Sequence, residues 1–346
     1  MHSFKPEFLK SITLPLGMSW LLGECMEAKG KQQLWEQKKP EILKALKDLA
    51  MIQSAESSNR IEGIEVDRQR LKPLILGKTI PQSRPEEEMM GYRHALELIH
   101  AKHENLEITP KTIQHLHHLA QEGAGDAGLW KTKNNEIIEF DSKGQRSIRF
   151  VPIEAKQIAL YMKQLCMAYR HEIKNTHQPS LVICALFILD FLCIHPFRDG
   201  NGRVSRLLNL LLLYQQDIHV GKYIGLERII EENKDAYYEA LKKSSKGWHE
   251  SNHDPLPWIN FFLSTLRLTY KELAKKVEIT DSIRTGKGEI VKKTILTQPG
   301  IFTLRDIQMQ CPNVSSQMIK KVLNDLKKDK KLILSGRGRS AQWKLR

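Results

Sequence analysis

The stretch His195-Pro196-Phe197-Arg198-Asp199-Gly200-Asn201-Gly202-Arg203-Val204-Ser205-Arg206 holds residue types that serve chemistry better than packing. Histidine is the side chain best suited to act as a base near neutral pH. Gly200 and Gly202 flank Asn201. Glycine allows positive φ and close approach of a ligand to the main chain, and successive N–H groups in such a turn form an anion-binding nest. Arg203 and Arg206 are three residues apart, so on a helix they share a face. Asp199 stands among these cations, and Mg²⁺ is usually held by one or two carboxylates together with substrate phosphates. The chemistry this set suits is the handling of a polyphosphate.

Two elements must position the set. An apolar run, Ala185 to Ile194, precedes it, and a second, Leu207 to Leu213, follows it. Both read as buried helices, so the loop sits at the turn of a central helical hairpin. The free N–H groups of the second helix point back at the loop, and a helix N-terminus favours phosphate. Two guanidiniums at that end run against the helix dipole. A bound anion offsets that cost. Taken singly, each residue has an ordinary explanation as a turn glycine, a helix cap or a core polar group. The ordered set does not.

Upstream, Ile42, Leu43, Leu46, Leu49 and Ile52 recur at helical spacing and predict a helix over 40–61. It ends in Ser58-Asn59-Arg60-Ile61-Glu62-Gly63, where Gly63 is a helix stop. By itself Glu62 reads as a solvated helix-end charge.

The loop matches the signature of the Fic family, His-Pro-Phe-x-(Asp/Glu)-Gly-Asn-Gly-Arg-x-x-Arg, at every defined position. The chain therefore resembles Fic proteins that transfer AMP from ATP to a hydroxyl side chain of a target protein. The resemblance implies His195 as the base toward a Ser, Thr or Tyr hydroxyl and Asp199 as the Mg²⁺ ligand. Gly200, Asn201 and Gly202 are implied as the anion hole, Arg203 and Arg206 as holders of the β- and γ-phosphates, and Phe197 as a core anchor beside the nucleotide. Ser58 to Gly63 is similar to the (Ser/Thr)-x-x-x-Glu-(Gly/Asn) motif of inhibited Fic proteins that carry an inhibitory helix ahead of the core. It implies that Ser58, Glu62 and Gly63 form a switch in which Glu62 pairs with Arg206 in the place of the γ-phosphate. In some relatives the same glutamate helps to remove AMP, so the reverse reaction stays open. Tyr237 and Tyr238 resemble family positions near the adenine pocket, one as core and either as a stacking partner.

Further helices are expected over 84–101, 110–121, 154–171, 180–194, 203–214, 233–243 and 255–276. Leu116-His117 matches a dipeptide of Fic domains; the plain reading of His115, His117 and His118 is polar packing. Apolar residues from Ile137 to Val151 around Ser142-Lys143-Gly144-Gln145 read as a β-hairpin. By resemblance, residues 130–151 form a flap that holds a target segment by strand addition. One departure is Gly128-Leu129-Trp130-Lys131, where the family often has Gly-x-(Tyr/Phe)-Arg; it bears on the role of Lys131 and not on the catalytic set.

The chain has 346 residues and a formal charge of +14. Hydrophobic residues make up 41%, enough for a sizeable core. From Arg284 to Arg346 fifteen Lys and Arg stand against four Asp and Glu, a net of +11. The charge thus concentrates in one segment, which suggests an anionic partner there. Residues 281–288 read as a linker. Residues 289–346 resemble a winged helix-turn-helix, with helices over 289–296, 304–310 and 315–328. Wing strands over 332–334 and 342–345 flank Ser335-Gly336-Arg337-Gly338-Arg339. DNA is one partner this suits, and protein contact is the other. The expected architecture is mainly α: an N-terminal region 1–83 with the inhibitory helix, a Fic-type core 84–280 with a hairpin flap, and a small α+β domain over 281–346. The five scattered cysteines fit a reducing cytosol, and no apolar run suits a membrane span. A cytoplasmic location is expected, with secretion into a host and a homodimer left open. Two other readings stand beside the adenylyltransferase. One is a DNA-binding regulator with a nucleotide-sensing core, and the other is a Fic enzyme that moves a different phosphate-containing group.

Overall fold

The computed structural model describes residues 1–140, 144–175, 178–298, 300–336 and 341–346, and the side chains of 38, 68, 140 and 279–285 lie outside that description. The chain divides into two compact units, Met1–Leu273 and Ala274–Arg346.

The first unit is built of α1 (Pro6–Ser11), α2 (Leu16–Lys38), α3 (Pro40–Ile61), α4 (Arg68–Ile75), α5 (Arg84–Lys102), α6 (Pro110–Ala120), α7 (Ile158–Asn175), α8 (Ser180–Ile194), α9 (Asn201–Tyr214), α10 (Leu226–Glu232), α11 (Lys234–Ser245) and the start of α12 (Leu256–Leu296). The central helix is α8, buried from Leu181 through Ile194. A helix apolar on all sides is stable only when covered on all sides, and α7, α9 and α11 pack against it. Helices α3, α5 and α6 pack in turn on α9. The loop between α8 and α9 is therefore held by the most buried part of the unit.

Strands β1 (Ile137–Phe140) and β2 (Arg146–Phe150) form the antiparallel hairpin, with Ile138 opposite Ile148. Ile138, Ile148 and Val151 are exposed. The turn residues Ser142 and Lys143 lie outside the described residues. Residues 130–136 precede the strand without joining it.

In the second unit, β3 (Ile301–Thr303), α13 (Leu304–Gln310), α14 (Ser316–Lys328), β4 (Leu332–Ser335) and β5 (Gln342–Leu345) follow the end of α12. The sheet is antiparallel in the order β3-β5-β4. Thr303 and Asp306 make a reciprocal capping box at the start of α13, and Ser315 caps α14. Val291, Ile295, Phe302, Ile307, Ile319, Leu323 and Trp343 are among its core residues. Arg337, Gly338 and Arg339 of the expected wing lie outside the described residues.

Residues 281–288, expected to be a linker, run as helix inside α12. Gly286 and Gly288 each cost about 1 kcal/mol against Ala in a helix, too little to stop a helix 41 residues long. The expected short helix over 289–296 is the end of that element. Strand β3, α1, α2, α4 and α10 carried no clear period. In α2 the apolar residues scatter, and Leu16, Trp20, Met26 and Leu34 are exposed. Pro73 interrupts α4.

Gly91 marks the closest approach of α5 to α6. A Cβ there would strike the carbonyl oxygen of Leu119. Backbone cannot give way as a side-chain tip can, so Gly91→Val is expected to destabilise the first unit by about 1–3 kcal/mol. An unchanged urea midpoint would contradict that close approach.

Candidate active site

His195 closes α8 with φ 51° and ψ 63°, in the left-handed region that few non-glycine residues adopt. Its N–H still donates to Phe191 O at 3.0 Å. The ring is thereby fixed at the helix end as the chain turns away. Its Nδ1 is buried with no hydrogen-bond partner among the described residues. Burial, reinforced by the Lys131 charge, lowers its pKa to about 4. The imidazole is thus neutral at pH 7 and free to take a proton. An anion placed beside it would raise its basicity.

The loop that follows is braced from three sides. Phe197 is fully buried, and its ring stacks on His117 with centroids 3.7 Å apart. His117 accepts from Gly128 N at Nδ1 (2.8 Å), so its Nε2 donates to Asp199 O (3.1 Å). Burial lowers the His117 pKa to about 4, which keeps this two-bond tautomer neutral. The side chain of Asn201 accepts from Phe197 N and donates to Phe197 O, both at 2.9 Å. Its amide therefore ties the loop together. What Asn201 can offer an anion is its backbone.

Helix α9 starts inside the glycine stretch, at Asn201, two residues earlier than its apolar pattern suggests. Gly200 is its N-cap at φ 74°. A Cβ on Gly200 would meet the side chain of Gln121. The first N–H groups of a helix have no intrahelical partner, so those of Asn201, Gly202 and Arg203 face the loop mouth.

The two arginines differ. Arg203 is 1% exposed and bonds Glu88 Oε2 at 2.5 Å. Its Nη2 lies 3.6 Å from Asp199 Oδ2. With its amide oxygen turned inward, Gln121 accepts from Arg203 Nη2 at 2.5 Å and from Gly200 N at 3.3 Å. Arg206 donates from Nε to Ser58 Oγ (2.8 Å) and from Nη2 to Ser58 O (2.9 Å) and Glu62 Oε1 (2.7 Å). Burial works against its charge, but Glu62 outweighs this and holds the guanidinium ionised.

Glu62 is placed by the end of α3. Ile64 N donates to Asn59 O and Gly63 N to Arg60 O, both at 3.0 Å. This is the Schellman pattern, with Gly63 at φ 81° in the left-handed position. Lys234 Nζ takes the free carbonyl of Ile61 at 2.9 Å. A carboxylate at a helix C-terminus opposes the dipole, so Glu62 depends on Arg206. It also lies against the start of α9: a Cβ on Gly202 would collide with Glu62 Oε1.

Ser58 and Glu62 meet Gly202 and Arg206 at the α3–α9 junction, with Gly63 in the turn behind them. Phe197, Asp199, Gly200, Asn201 and Arg203 are tied within the loop, and His195 opens it at the end of α8. Tyr238 is half-buried nearby, with Arg149 and Lys234 near its ring at 5.8 and 5.9 Å. Tyr237 is a correction: it is core, packed on Trp258 and Phe261. It shares with Arg206 a cavity of only about 20 Å³, too small for a nucleobase. The Asp199 side chain is 81% exposed at the loop mouth. Among the described residues no cluster of three His, Cys, Asp or Glu could hold a metal by itself. A lone carboxylate still fits a cation held mostly by phosphates.

Residues 107–213 match the Fic/DOC family. The chain thus carries a Fic/DOC domain that spans α6 to α9. A 64-residue stretch is 39% identical to the phosphocholine transferase AnkX of Legionella pneumophila, covering 17% of this chain and 7% of that protein. Among solved structures, a Fic family protein from Desulfovibrio desulfuricans is 20% identical over 97% of both chains with a TM-score of 0.62. A Fic domain containing signaling protein from Bacteroides thetaiotaomicron is 22% identical, covering 74% of this chain and 97% of that one, with a TM-score of 0.61. Fic-1 from C. elegans is 17% identical, covering 75% and 72%, with a TM-score of 0.56. These likenesses establish the mainly helical Fic fold of the chain.

Glu88, Gln121, Asn59 and Glu227 escaped the sequence reading. Glu88 stands in the acidic run that opens α5 and looks like an ordinary helix-start charge. Glu227 is buried, accepts from Tyr92 Oη at 3.0 Å, and has its pKa raised by burial. Their roles follow from packing between distant segments, which no local pattern encodes.

The lowered pKa of His195 has a direct consequence. Its ring resonances are expected to titrate near pH 4. A midpoint near the ordinary 6.5 would contradict the burial and the Lys131 proximity that set it.

Proposed function

We propose that this chain is a self-inhibited protein adenylyltransferase. It moves AMP from ATP to a Ser, Thr or Tyr hydroxyl of a target protein, with itself among the substrates. The carrying observation is the Glu62 carboxylate, which bonds Arg206 and lies against Gly202 at the N-terminal end of α9. Such an end favours anions, so Glu62 stands where a terminal phosphate of a nucleotide is best held.

In the proposed reaction His195 takes the proton of the target hydroxyl. The hydroxyl oxygen attacks the α-phosphorus of ATP, the bond to the bridging oxygen breaks, and pyrophosphate leaves. Positioning and fixed dipoles carry most of such a transfer. The N–H groups of α9, together with Arg203 and Arg206, meet the phosphate charge. Asp199 is the residue that would hold Mg²⁺, which neutralises phosphate charge when bound. The β1–β2 hairpin, with its exposed apolar residues, suits a target segment added as a strand. With Glu62 in place, Arg206 is occupied and the polyphosphate cannot settle correctly; reversal of the transfer by the same site is part of the proposal.

The stretch shared with AnkX favours a second reading, in which the transferred group is phosphocholine. The second unit supports a nucleic-acid partner through its charge of +11 from Arg284 to Arg346 and the exposed Ser316, Gln317, Lys320 and Lys321 on α14.

Incubation with labelled ATP and cell lysate tests the first reading. Glu62→Gly is expected to raise labelling at least several-fold, even while lowering stability by about 1–3 kcal/mol through loss of a charge-assisted bond. His195→Ala is expected to abolish labelling in the Glu62→Gly background. Labelling that survives His195→Ala, or that appears only with a phosphocholine donor, overturns the AMP reading. For the second unit, Lys320→Ala with Lys321→Ala is expected to weaken DNA binding and flatten its salt slope by about two; equal binding and slope would rule out α14 as the contact.

A further inference from the structure

Away from the loop, a pocket of about 360 Å³ opens between α3, α4, α5 and the turn at Lys222. That volume lies within the range of small-ligand sites. It is lined by the apolar Met51, Ile75 and Leu76 together with polar and charged side chains. Three cations line it: Lys47, Arg93 and Lys222. Arg93 is matched by Glu97 at 2.6 Å. The two lysines have no such bond, and Glu36 and Glu104 act on Lys222 only from longer range. Among the described residues neither pairs with a carboxylate, and each lies over an aromatic ring, Lys47 over Tyr223 at 6.0 Å and Lys222 over Tyr214 at 5.1 Å.

An aromatic face is a modest partner for an ammonium, worth about 0.5–1 kcal/mol at exposed sites. It leaves all three N–H donors of each lysine open to an anion. Burial lowers the basicity of Lys222, a cost that an anionic ligand relieves. His100 also lines the pocket, with its Nδ1 bonded to Tyr214 Oη at 3.2 Å, which leaves Nε2 for a ligand. Asp48 and Glu97 add acceptors suited to hydroxyl groups.

We propose that this pocket is a binding site for a small hydroxylated phosphate monoester, either a sugar phosphate or a nucleoside monophosphate. The phosphate sits on Lys47 and Lys222. The hydroxyl groups meet Asp48 and Glu97, and the apolar side chains take the remaining body. An occupant touches α3, α4 and α5 at once, so it fastens α3 to the rest of the unit. Binding stands independently of the proposed function.

The test is calorimetric titration of the full chain with ribose 5-phosphate, AMP and inorganic phosphate, in parallel with Lys47→Ala/Lys222→Ala. Ribose 5-phosphate or AMP is expected to bind more tightly than inorganic phosphate, and the double variant to lose about tenfold or more in affinity. The better of the two names the source. Hydrogen exchange within 40–61 is expected to slow on binding in the unsubstituted chain and not in the variant. No binding of either ester, equal binding of inorganic phosphate, or an unchanged affinity in the variant overturns the site. Unslowed exchange overturns the fastening of α3.

Discussion

A guanidinium that is 2% exposed cannot be left without partners. Removing the partner of a buried polar group costs about 1–3 kcal/mol, because the remaining group is left unsatisfied. Arg206 sits in the first turns of α9, where the helix dipole adds to that penalty. Much of the first unit is arranged around this constraint. Helix α3 ends against α9, its Ser58 supplies a hydroxyl and a carbonyl, and its Glu62 supplies the countercharge. Gly63 permits the left-handed turn that aims Glu62, and Gly202 leaves room for it. The two glycines lie 139 positions apart in the numbering of the chain, yet each serves the same contact.

The rest of the loop is braced by contacts that leave its anion-facing groups free. His117 and Phe197 stack, Asn201 closes the turn on Phe197, and Arg203 is spent largely on Glu88. These bonds consume side chains. The backbone N–H groups at the start of α9 remain, and their direction is fixed before any ligand arrives. For the proposed transfer, a site built this way avoids reorganisation, which is where preorganised dipoles have their largest effect. It also explains why histidines at 117 and 195 are both held neutral: one is a brace whose bonds require a fixed tautomer, the other an acceptor kept free of its proton by burial.

The sequence made the His195–Arg206 loop and the α3 motif legible because both are contiguous and dense in unusual residue types. Helix α3, with its apolar period, and α8, a continuous apolar run, were legible to the residue. What it hid has a common cause. Helix α2 has no apolar face for a period to report. The continuous α12 hid behind two glycines that carry weight in a propensity reading but little against a long helix. Tyr237 and Tyr238 are adjacent, and only packing against Trp258 and Phe261 decides that one is core. Glu88 meets Arg203 across 115 residues, a pairing set by the crossing of α5 on α9. Local chemistry is written locally; the partner that neutralises it is written by the fold.

The Glu62–Arg206 pair is also bounded from above. A charge-assisted hydrogen bond contributes about 1.5–3 kcal/mol, so an anion that binds the α9 start needs only a few kcal/mol of advantage to displace it. The pair prevails because Glu62 is tethered: a group held in place acts at a high effective concentration. That concentration is set by whatever fastens α3. Arg60 on Glu231, Lys234 on the Ile61 carbonyl and the Ser58 contacts all contribute. The first two act away from the Arg206 guanidinium, whereas Ser58 bonds it directly. In the proposed switch the balance can therefore be moved from elsewhere along α3, the helix that also lines the lysine pocket. Under the proposed function, a switch whose closing group is a helix end reports on the whole helix, not only on the residue that closes it.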